Sequence, residues 1–196
     1  MGKSETDLAA LIGSRICHDL ISPIGAINNG LELLDMAGGA GGAELDLISE
    51  SVGNASARIR FFRVAYGAAG AQQMGRAETV AILKDYCAGA RQEIVWGPLD
   101  SHARAAVQLA FLGIQCLETA LPYGGRIEVR HEGGWEITGR AEKSSVDPAL
   151  WARLSGDDRA EVSAAQVQFA LLAVLAAEAG RKVSYQKREG AVVLRI

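Results

Sequence analysis

A histidine and an acid stand side by side near the start of this chain, in the run Cys17-His18-Asp19-Leu20-Ile21-Ser22-Pro23. A neutral imidazole is a good acceptor for a phosphoryl group, because its ordinary pKa of about 6.5 leaves most rings unprotonated near neutral pH. The neighbouring Asp19 can orient the ring or manage its proton, as general acid–base partners do. His18 and Asp19 are therefore the candidate catalytic residues, and a surface histidine without a role is the alternative.

The pattern around His18 predicts a ring that another protein can reach. Apolar residues recur at steps of three and four, which indicates one buried stripe of an amphipathic helix: Leu8, Leu11, Ile12, Ile16, Leu20, Ile24, Ile27, Leu31 and Leu34. His18 lies on the rim of this stripe. Small or polar residues share its face: Ser14, Ser22, Gly25 and Asn29. Pro23 lacks a backbone donor and clashes with the carbonyl of Asp19, so we expect the helix to bend beside the ring.

The first 70 residues read as a helical hairpin. The first helix is expected from Thr6 or Asp7 to Met36, and the glycine-rich run 37–42 should end it. A second helix should begin near Ala43. Its apolar residues alternate by three and four, which predicts left-handed bundle packing: Leu45, Ile48, Val52, Ala55, Ile59, Phe62 and Tyr66. Two helices cannot bury both stripes, so we expect a homodimer with a four-helix bundle. The alternative is a hairpin that folds back on its own chain.

A docking surface is predicted around His18. Arg58 and Arg63 lie on the polar face of the second helix, where guanidinium groups suit the phosphate or carboxylate of an incoming partner. The other candidate docking residues flank His18 on the first helix or are expected opposite it: Ser14, Arg15, Ser22, Pro23, Gly25, Asn29 and Phe62. For any single arginine, an ordinary solvated face is the alternative.

The rest of the chain mixes helices with paired strands after a linker at 67–75. Helices are expected at 79–90, from Ser101 as N-cap to 121, after the Asp147-Pro148 pair, and at 161–179. Strands are expected at 92–96, 126–131, 135–140, 183–187 and 191–196. This order predicts an α+β fold, with helices on one face of a mixed sheet. The predicted domains are 1–70 and 76–196.

Composition narrows the possible functions. The 196 residues carry a formal net charge of −3, which argues against nucleic-acid binding. No apolar run reaches the length of a membrane span and no signal peptide precedes the hairpin, so we expect a cytoplasmic protein that binds no membrane. Three scattered cysteines without a C-x-x-C pair predict neither disulfides nor zinc, and Cys17, Cys87 and Cys116 should be small buried apolar residues.

The His18 motif resembles the H-box of sensor histidine kinases, whose usual pattern is H-E/D-L-x-x-P-x-x-A-I. Here it reads His18-Asp19-Leu20-Ile21-Ser22-Pro23-Ile24-Gly25-Ala26-Ile27. The second part is similar in element order to the ATP-binding domain of those kinases, which implies a GHKL (Bergerat-like) α/β sandwich. The run Gly124-Gly125-Arg126-Ile127-Glu128-Val129 corresponds to the segment after the kinase N-box, and 168–196 to the last helix and hairpin.

Three nucleotide contacts of that kinase domain are missing from the sequence. The N-box region reads Leu117-Glu118-Thr119-Ala120-Leu121-Pro122, without its magnesium-binding asparagine. The D-x-G-x-G box reads Glu136-Ile137-Thr138-Gly139-Arg140, and the glycine-rich phosphate loop reads Val162-Ser163-Ala164-Ala165-Gln166. A phospho-acceptor joined to such a degenerate domain resembles the ChpT-type histidine phosphotransferases, dimeric relay proteins of bacterial signalling.

The resemblance implies a phosphorelay without ATP binding. In this family a receiver domain of a hybrid histidine kinase donates the phosphoryl group, and response regulators receive it. His18 would attack through Nε2 and Asp19 would orient the ring. The chain would bind no cofactor or metal of its own, since the partner receiver supplies Mg2+. The second domain would serve as a wall for partner binding. An active sensor-type histidine kinase and a non-catalytic dimeric adaptor are the alternatives.

Overall fold

The N-terminal part of the protein is a pair of long antiparallel helices. A computed structural model describes residues 3–36, 42–70, 72–156 and 160–196. Helix α1 spans Lys3–Met36 and helix α2 spans Gly42–Ala65. The predicted end at Met36 is confirmed, but α1 begins before Thr6 and Asp7, so neither is its N-cap. The glycine-rich run expected to end α1 falls mostly on 37–41, outside the described residues.

The two helices pack closely at one small residue. A Cβ placed on Gly30 of α1 would lie 2.6 Å from Cγ1 of Ile48 on α2, so only glycine permits this separation without a shift. Pro23 lies inside α1, which is assigned as one helix through it. Helix α1 is thus continuous from His18 past Pro23.

The remaining elements build a mixed sheet with helices. In chain order they are β1 (Gln73–Met74), α3 (Arg76–Tyr86), β2 (Gln92–Trp96), β3 (His102–Ala103), α4 (Arg104–Ala120), β4 (Gly125–His131), β5 (Trp135–Arg140), α5 (Pro148–Ala152), α6 (Val167–Glu178), β6 (Ser184–Arg188) and β7 (Ala191–Arg195). Short 3-10 turns occur at Arg153–Ser155 and Ala164–Gln166. The main sheet has the order β2-β4-β5-β7-β6, with β2 and β4 parallel and the other pairs antiparallel. The predicted α+β class is confirmed.

The predicted bounds of three later helices are wrong, including those of α3, which spans Arg76–Tyr86 instead of 79–90. Ser101 does not cap α4, because His102–Ala103 pairs with Gln73–Met74 as a small antiparallel sheet and the helix begins at Arg104. This pairing also places a strand within the predicted linker. The last long helix begins at Val167 instead of 161, after the 3-10 turn. The Asp147 cap is confirmed, since its Oδ1 accepts a 2.9 Å hydrogen bond from the amide of Ala149.

The end of α2 belongs to the same core as the second part. Phe61 is fully buried, with its ring stacked 3.9 Å from that of Tyr86 and 4.7 Å from that of Phe111. Phe62 is also buried, whereas Val52 and Ile59 are about half exposed. The alternative in which the hairpin folds onto its own chain therefore holds at this end of α2. The boundary between 70 and 76 stays a prediction.

Candidate functional site

His18 projects from α1 with 82% of its side chain exposed. Its Nδ1 lies 3.1 Å from Oδ1 of Asp19, whose own side chain is only 12% exposed. An ionised carboxylate only accepts hydrogen bonds, so this contact requires the proton on Nδ1. The tautomer that remains has an unprotonated Nε2 on an open ring, and that nitrogen is free to act as a nucleophile.

Arg15 completes the arrangement from the preceding turn of α1. Its Nε donates to Oδ2 of Asp19 at 2.8 Å, so each oxygen of the carboxylate has its own partner. Its Nη1 donates to the carbonyl oxygen of Ala165, in the 3-10 turn before α6, at 2.7 Å. The Arg15 side chain is 18% exposed. The guanidinium is thus bonded within the chain, and the role of Arg15 in docking stays a prediction.

The other predicted docking residues divide by exposure. Ser14, Ser22 and Asn29 are exposed, as is Arg63, while Gly25 and Arg58 are partly buried. Pro23 and Phe62 are buried, although Pro23 lines a cleft between the hairpin and the second part, and their role in docking stays a prediction. The apolar pattern placed Phe62 on a buried stripe, and in the structure Phe62 packs in the core of its own chain.

A cleft of about 300 Å³ opens one helical turn from His18. Both hairpin helices and the end of α3 line it, through residues that include Ser22, Ala26, Asn54, Arg58, Asp85 and Gly89. At this cleft Arg60 of α2 forms a 2.9 Å ion pair with Asp85 of α3. Residues of both the hairpin and the second part therefore line this cleft, close to His18.

Glu118 lies beside this cleft, through its contact with Tyr86, and the sequence analysis did not predict this position. Its Oε2 accepts a 3.1 Å hydrogen bond from the hydroxyl of Tyr86. Burial raises the pKa of Glu118 to about 7, although this bond and the charges of Arg15 and Arg58 act to lower it. The signal in the sequence was an acid within the otherwise apolar end of α4.

The segments that correspond to the kinase nucleotide boxes make contacts within the chain. Thr119 Oγ1 accepts a 3.0 Å hydrogen bond from Nε2 of Gln168, which links α4 to α6. Residues 163–166 form a capped turn, in which the backbone N–H of Ser163 donates to the Gln166 side chain. The carbonyl of Ala165 in that turn receives Arg15.

The described residues contain no cluster of three or more His, Cys, Asp or Glu side chains that could hold a metal ion. The prediction of buried cysteines is confirmed for Cys116 and in part for Cys87, but it is wrong for Cys17, which is exposed. Burial raises the pKa of the Cys87 thiol to about 11. Within the described part of the chain, no helix is both long and apolar enough to cross a membrane.

Comparison with known proteins gives consistent similarities. Residues 76–191 match the model of the histidine phosphotransferase C-terminal domain family. The chain is 39% identical over 190 residues to the protein phosphotransferase ChpT of Brucella abortus (strain 2308), covering 92% of this chain and 90% of that protein. It superposes on the solved structure of a bacterial phosphotransferase with a TM-score of 0.83 and 36% identity, covering 100% of this chain and 98% of the other.

Proposed function

The chain belongs to the histidine phosphotransferase family, and on that premise we propose that His18 relays phosphoryl groups between receiver domains. A phospho-aspartyl receiver of a hybrid histidine kinase donates the group, and response-regulator receivers accept it. The observation that supports this most is the exposed His18 ring with Nδ1 against Asp19, which leaves Nε2 facing outward.

The proposed transfer is an in-line displacement at phosphorus. The lone pair of Nε2 forms the N–P bond while the bond from phosphorus to the receiver's aspartyl oxygen breaks, and that electron pair returns to the receiver carboxylate. The imidazole gains positive charge, and Nδ1–H remains bonded to Asp19, which stabilises that charge. The reverse sequence delivers the group to the next receiver.

The metal for this reaction belongs to the receiver in our proposal. Asp19 is the carboxylate in contact with His18, and both of its oxygens are already bonded, to Arg15 and to the ring. These bonds leave Asp19 poorly suited as a ligand for Mg2+. When bound in the receiver's acidic pocket, the ion neutralises the phosphoryl oxygens.

The proposal includes no ATP binding by the second domain. The asparagine, aspartate and glycine-rich loop of a kinase are absent from its sequence. The Thr119–Gln168 bond and the Arg15–Ala165 bond occupy polar groups in two of the corresponding segments. We propose that this domain keeps its packing and serves as part of the receiver's docking surface.

The cleft at Ser22, Arg58 and the 88–90 turn is the proposed docking site. It has side chains from both parts of the chain and lies one turn from His18. A phosphoryl group transfers only when the reacting atoms are held about 3 Å apart, so a receiver bound in a cleft beside the nucleophile would be positioned for transfer.

We also propose that two hairpins pair into a four-helix bundle. The supporting observation is a set of apolar residues on α1 and α2 that one chain leaves about 40% exposed or more: Ile21, Ile24, Leu31, Leu33, Met36, Leu45, Leu47, Val52 and Ile59. Apolar surface on this scale marks an interaction site, and a second hairpin offers the same apolar pattern in return.

A paired labelling experiment tests the proposed function against its alternatives. The protein is incubated either with labelled ATP and Mg2+ alone or with a labelled, phosphorylated receiver free of ATP. We expect label on the protein only in the second reaction. Label from ATP alone would establish a kinase, and no label in either reaction would favour the adaptor.

A further inference from the structure

Arg15 joins the candidate catalytic pair to the second domain through two bonds made by one guanidinium group. Nε holds Oδ2 of Asp19 at 2.8 Å, and Nη1 reaches the carbonyl oxygen of Ala165 at 2.7 Å. On the far side of the carboxylate, Oδ1 meets Nδ1 of His18 at 3.1 Å. Hydrogen bonds therefore connect Ala165 of the second domain to Arg15, Arg15 to Asp19, and Asp19 to the ring of His18.

We infer that Arg15 is a positioning residue for phosphotransfer, which fixes the Asp19 carboxylate so that His18 keeps its proton on Nδ1 and its lone pair on Nε2. This inference rests on the proposed function, because it assigns a role within the same reaction. In this inference Arg15 acts on the ring through Asp19.

The Arg15–Asp19 ion pair differs from an ordinary ion pair on the surface of one helix. Exposed ion pairs four residues apart stabilise a helix only slightly, and they leave both side chains free to move. Here the side chains are only 18% and 12% exposed, so solvent screens the pair weakly. The bond to Ala165 also fixes the guanidinium from outside its own helix.

The packing around Arg15 supports a fixed position. Leu8, Ile12 and Ile16 of α1 pack against the hydrophobic core, which the end of α2 and the second part share. The segment that holds Ala165 is a short turn capped by Ser163 and Gln166. Because both ends of the Arg15 connection are anchored, a change in the second domain's turn would alter the orientation of the carboxylate and, through it, the ring.

The reaction gives this orientation a function. As the N–P bond forms at Nε2, positive charge develops on the ring and Nδ1–H donates more strongly to Asp19. A carboxylate that rotates freely would share its oxygens with water and would allow the other tautomer, in which Nε2 carries the proton and cannot attack. Arg15 removes that freedom.

The test uses Arg15→Met and Arg15→Lys, with Arg195→Met as the matched control. Arg195 also forms an arginine–carboxylate pair, 2.8 Å from Glu136, but on the sheet and exposed. The readouts are the His18 tautomer from nitrogen-15 NMR, the rate of single-turnover transfer from a phosphorylated receiver, the receiver concentration that half-saturates this rate, and the unfolding temperature.

We expect Arg15→Met to mix the two tautomers and to slow transfer about tenfold, a loss of about 1.4 kcal/mol of transition-state stabilisation. The half-saturating receiver concentration should stay unchanged. Arg15→Lys keeps the charge and one donor, so it should recover part of the rate and the Nδ1–H tautomer. Arg195→Met should leave the transfer rate and the His18 tautomer as in the wild type.

Three results would overturn the inference. A folded Arg15→Met protein with the wild-type tautomer and rate would reduce Arg15 to a structural pair. A higher half-saturating concentration at an unchanged rate would make it a docking residue. If Arg15→Met unfolds, Arg15→Lys decides, and the wild-type transfer rate together with the wild-type tautomer in that variant would contradict positioning. If the wild-type protein itself does not accept a phosphoryl group, the proposed function is contradicted instead. The tautomer measurement would then still decide the role of Arg15.

Discussion

The hydroxyl of Tyr86 on α3 donates a 3.1 Å hydrogen bond to the carboxylate of Glu118 on α4. This pair lies where the hairpin, α3 and α4 meet, since Phe61 of α2 stacks on the same tyrosine. Burial and the neighbouring carboxylate raise the pKa of Tyr86 well above its ordinary value. A titratable acid is thus held inside the contact between the two parts of the chain.

Glu118 should make the stability of the protein depend on pH. Its pKa is 4.5 in an ordinary setting and about 7 here, because burial penalises the charged carboxylate. The raised value means that the folded state gains from the protonated group below pH 4.5 and loses this gain as the pH rises through about 7. Relative to Glu118→Gln, wild-type unfolding free energy should fall by up to about 3 kcal/mol across that interval. Denaturant melts at several pH values measure the difference.

The exposed Glu161→Gln variant is the matched control for removal of one carboxyl group. A difference between Glu118→Gln and the wild type that does not change with pH would contradict the account of a partly buried, titrating carboxyl group.

Asp19→Asn should slow phosphoryl transfer about a hundredfold, the lower end of the effect expected for a group that manages a proton. The amide keeps the size of the side chain, but it loses the charge that binds Arg15 and stabilises the ring as it becomes positive. Asp35→Asn, an exposed acid on the same helix, should transfer at the wild-type rate. Rapid-quench kinetics with a labelled receiver measures both, and equal rates for the two variants would remove Asp19 from the mechanism.

Val52→Glu should separate the proposed dimer. Val52 is 47% exposed on α2, and a bundle would bury it against apolar side chains, where an unpaired carboxylate is costly. Both copies carry the change, so we expect association to weaken by about a hundredfold, equivalent to about 1.4 kcal/mol for each copy. Val174→Glu is the matched control, because Val174 on α6 is 45% exposed. Sedimentation equilibrium distinguishes them, and a Val52→Glu dimer as tight as the control would place the interface elsewhere.

Gly125→Ala should destabilise the second domain by about 3 kcal/mol, because two penalties coincide. The glycine has φ = +146°, and an added Cβ would lie 2.3 Å from the carbonyl oxygen of Arg140. Gly133→Ala provides the comparison, since its φ is +76° with open space around the added atom. That variant should lose only about 1 kcal/mol. Equal losses in denaturant melts would show that the contact with Arg140 relaxes without cost.

Local patterns explain which parts of the fold the sequence could predict. The strands at Gln92–Trp96 and Trp135–Arg140 are confirmed at both ends, since alternation and glycine turns mark them within a few residues. The Asp147-Pro148 helix start is confirmed for the same reason. The pairing of β1 with β3 was missed, because two-residue strands carry no periodicity and exist only through their partner.

Contacts between distant residues explain the errors at the candidate site. The membership in the phosphotransferase family, proposed from the H-box and the missing nucleotide boxes, is confirmed. The bond between Arg15 and Ala165 spans 150 positions, and no local pattern indicates it. Phe62 was correctly predicted on an apolar stripe, but periodicity does not say whether its partner is a second chain or the same one.

Mapping the phosphorylated atom tests the central claim most directly. A phosphorylated receiver is mixed with the wild-type protein and with His18→Gln, and the label is located by fragmentation mass spectrometry and phosphorus-31 NMR under alkaline conditions. The account predicts an acid-labile phosphoryl group on Nε2 of His18 and no label on the variant. Label on another residue, or equal labelling of His18→Gln, would contradict it.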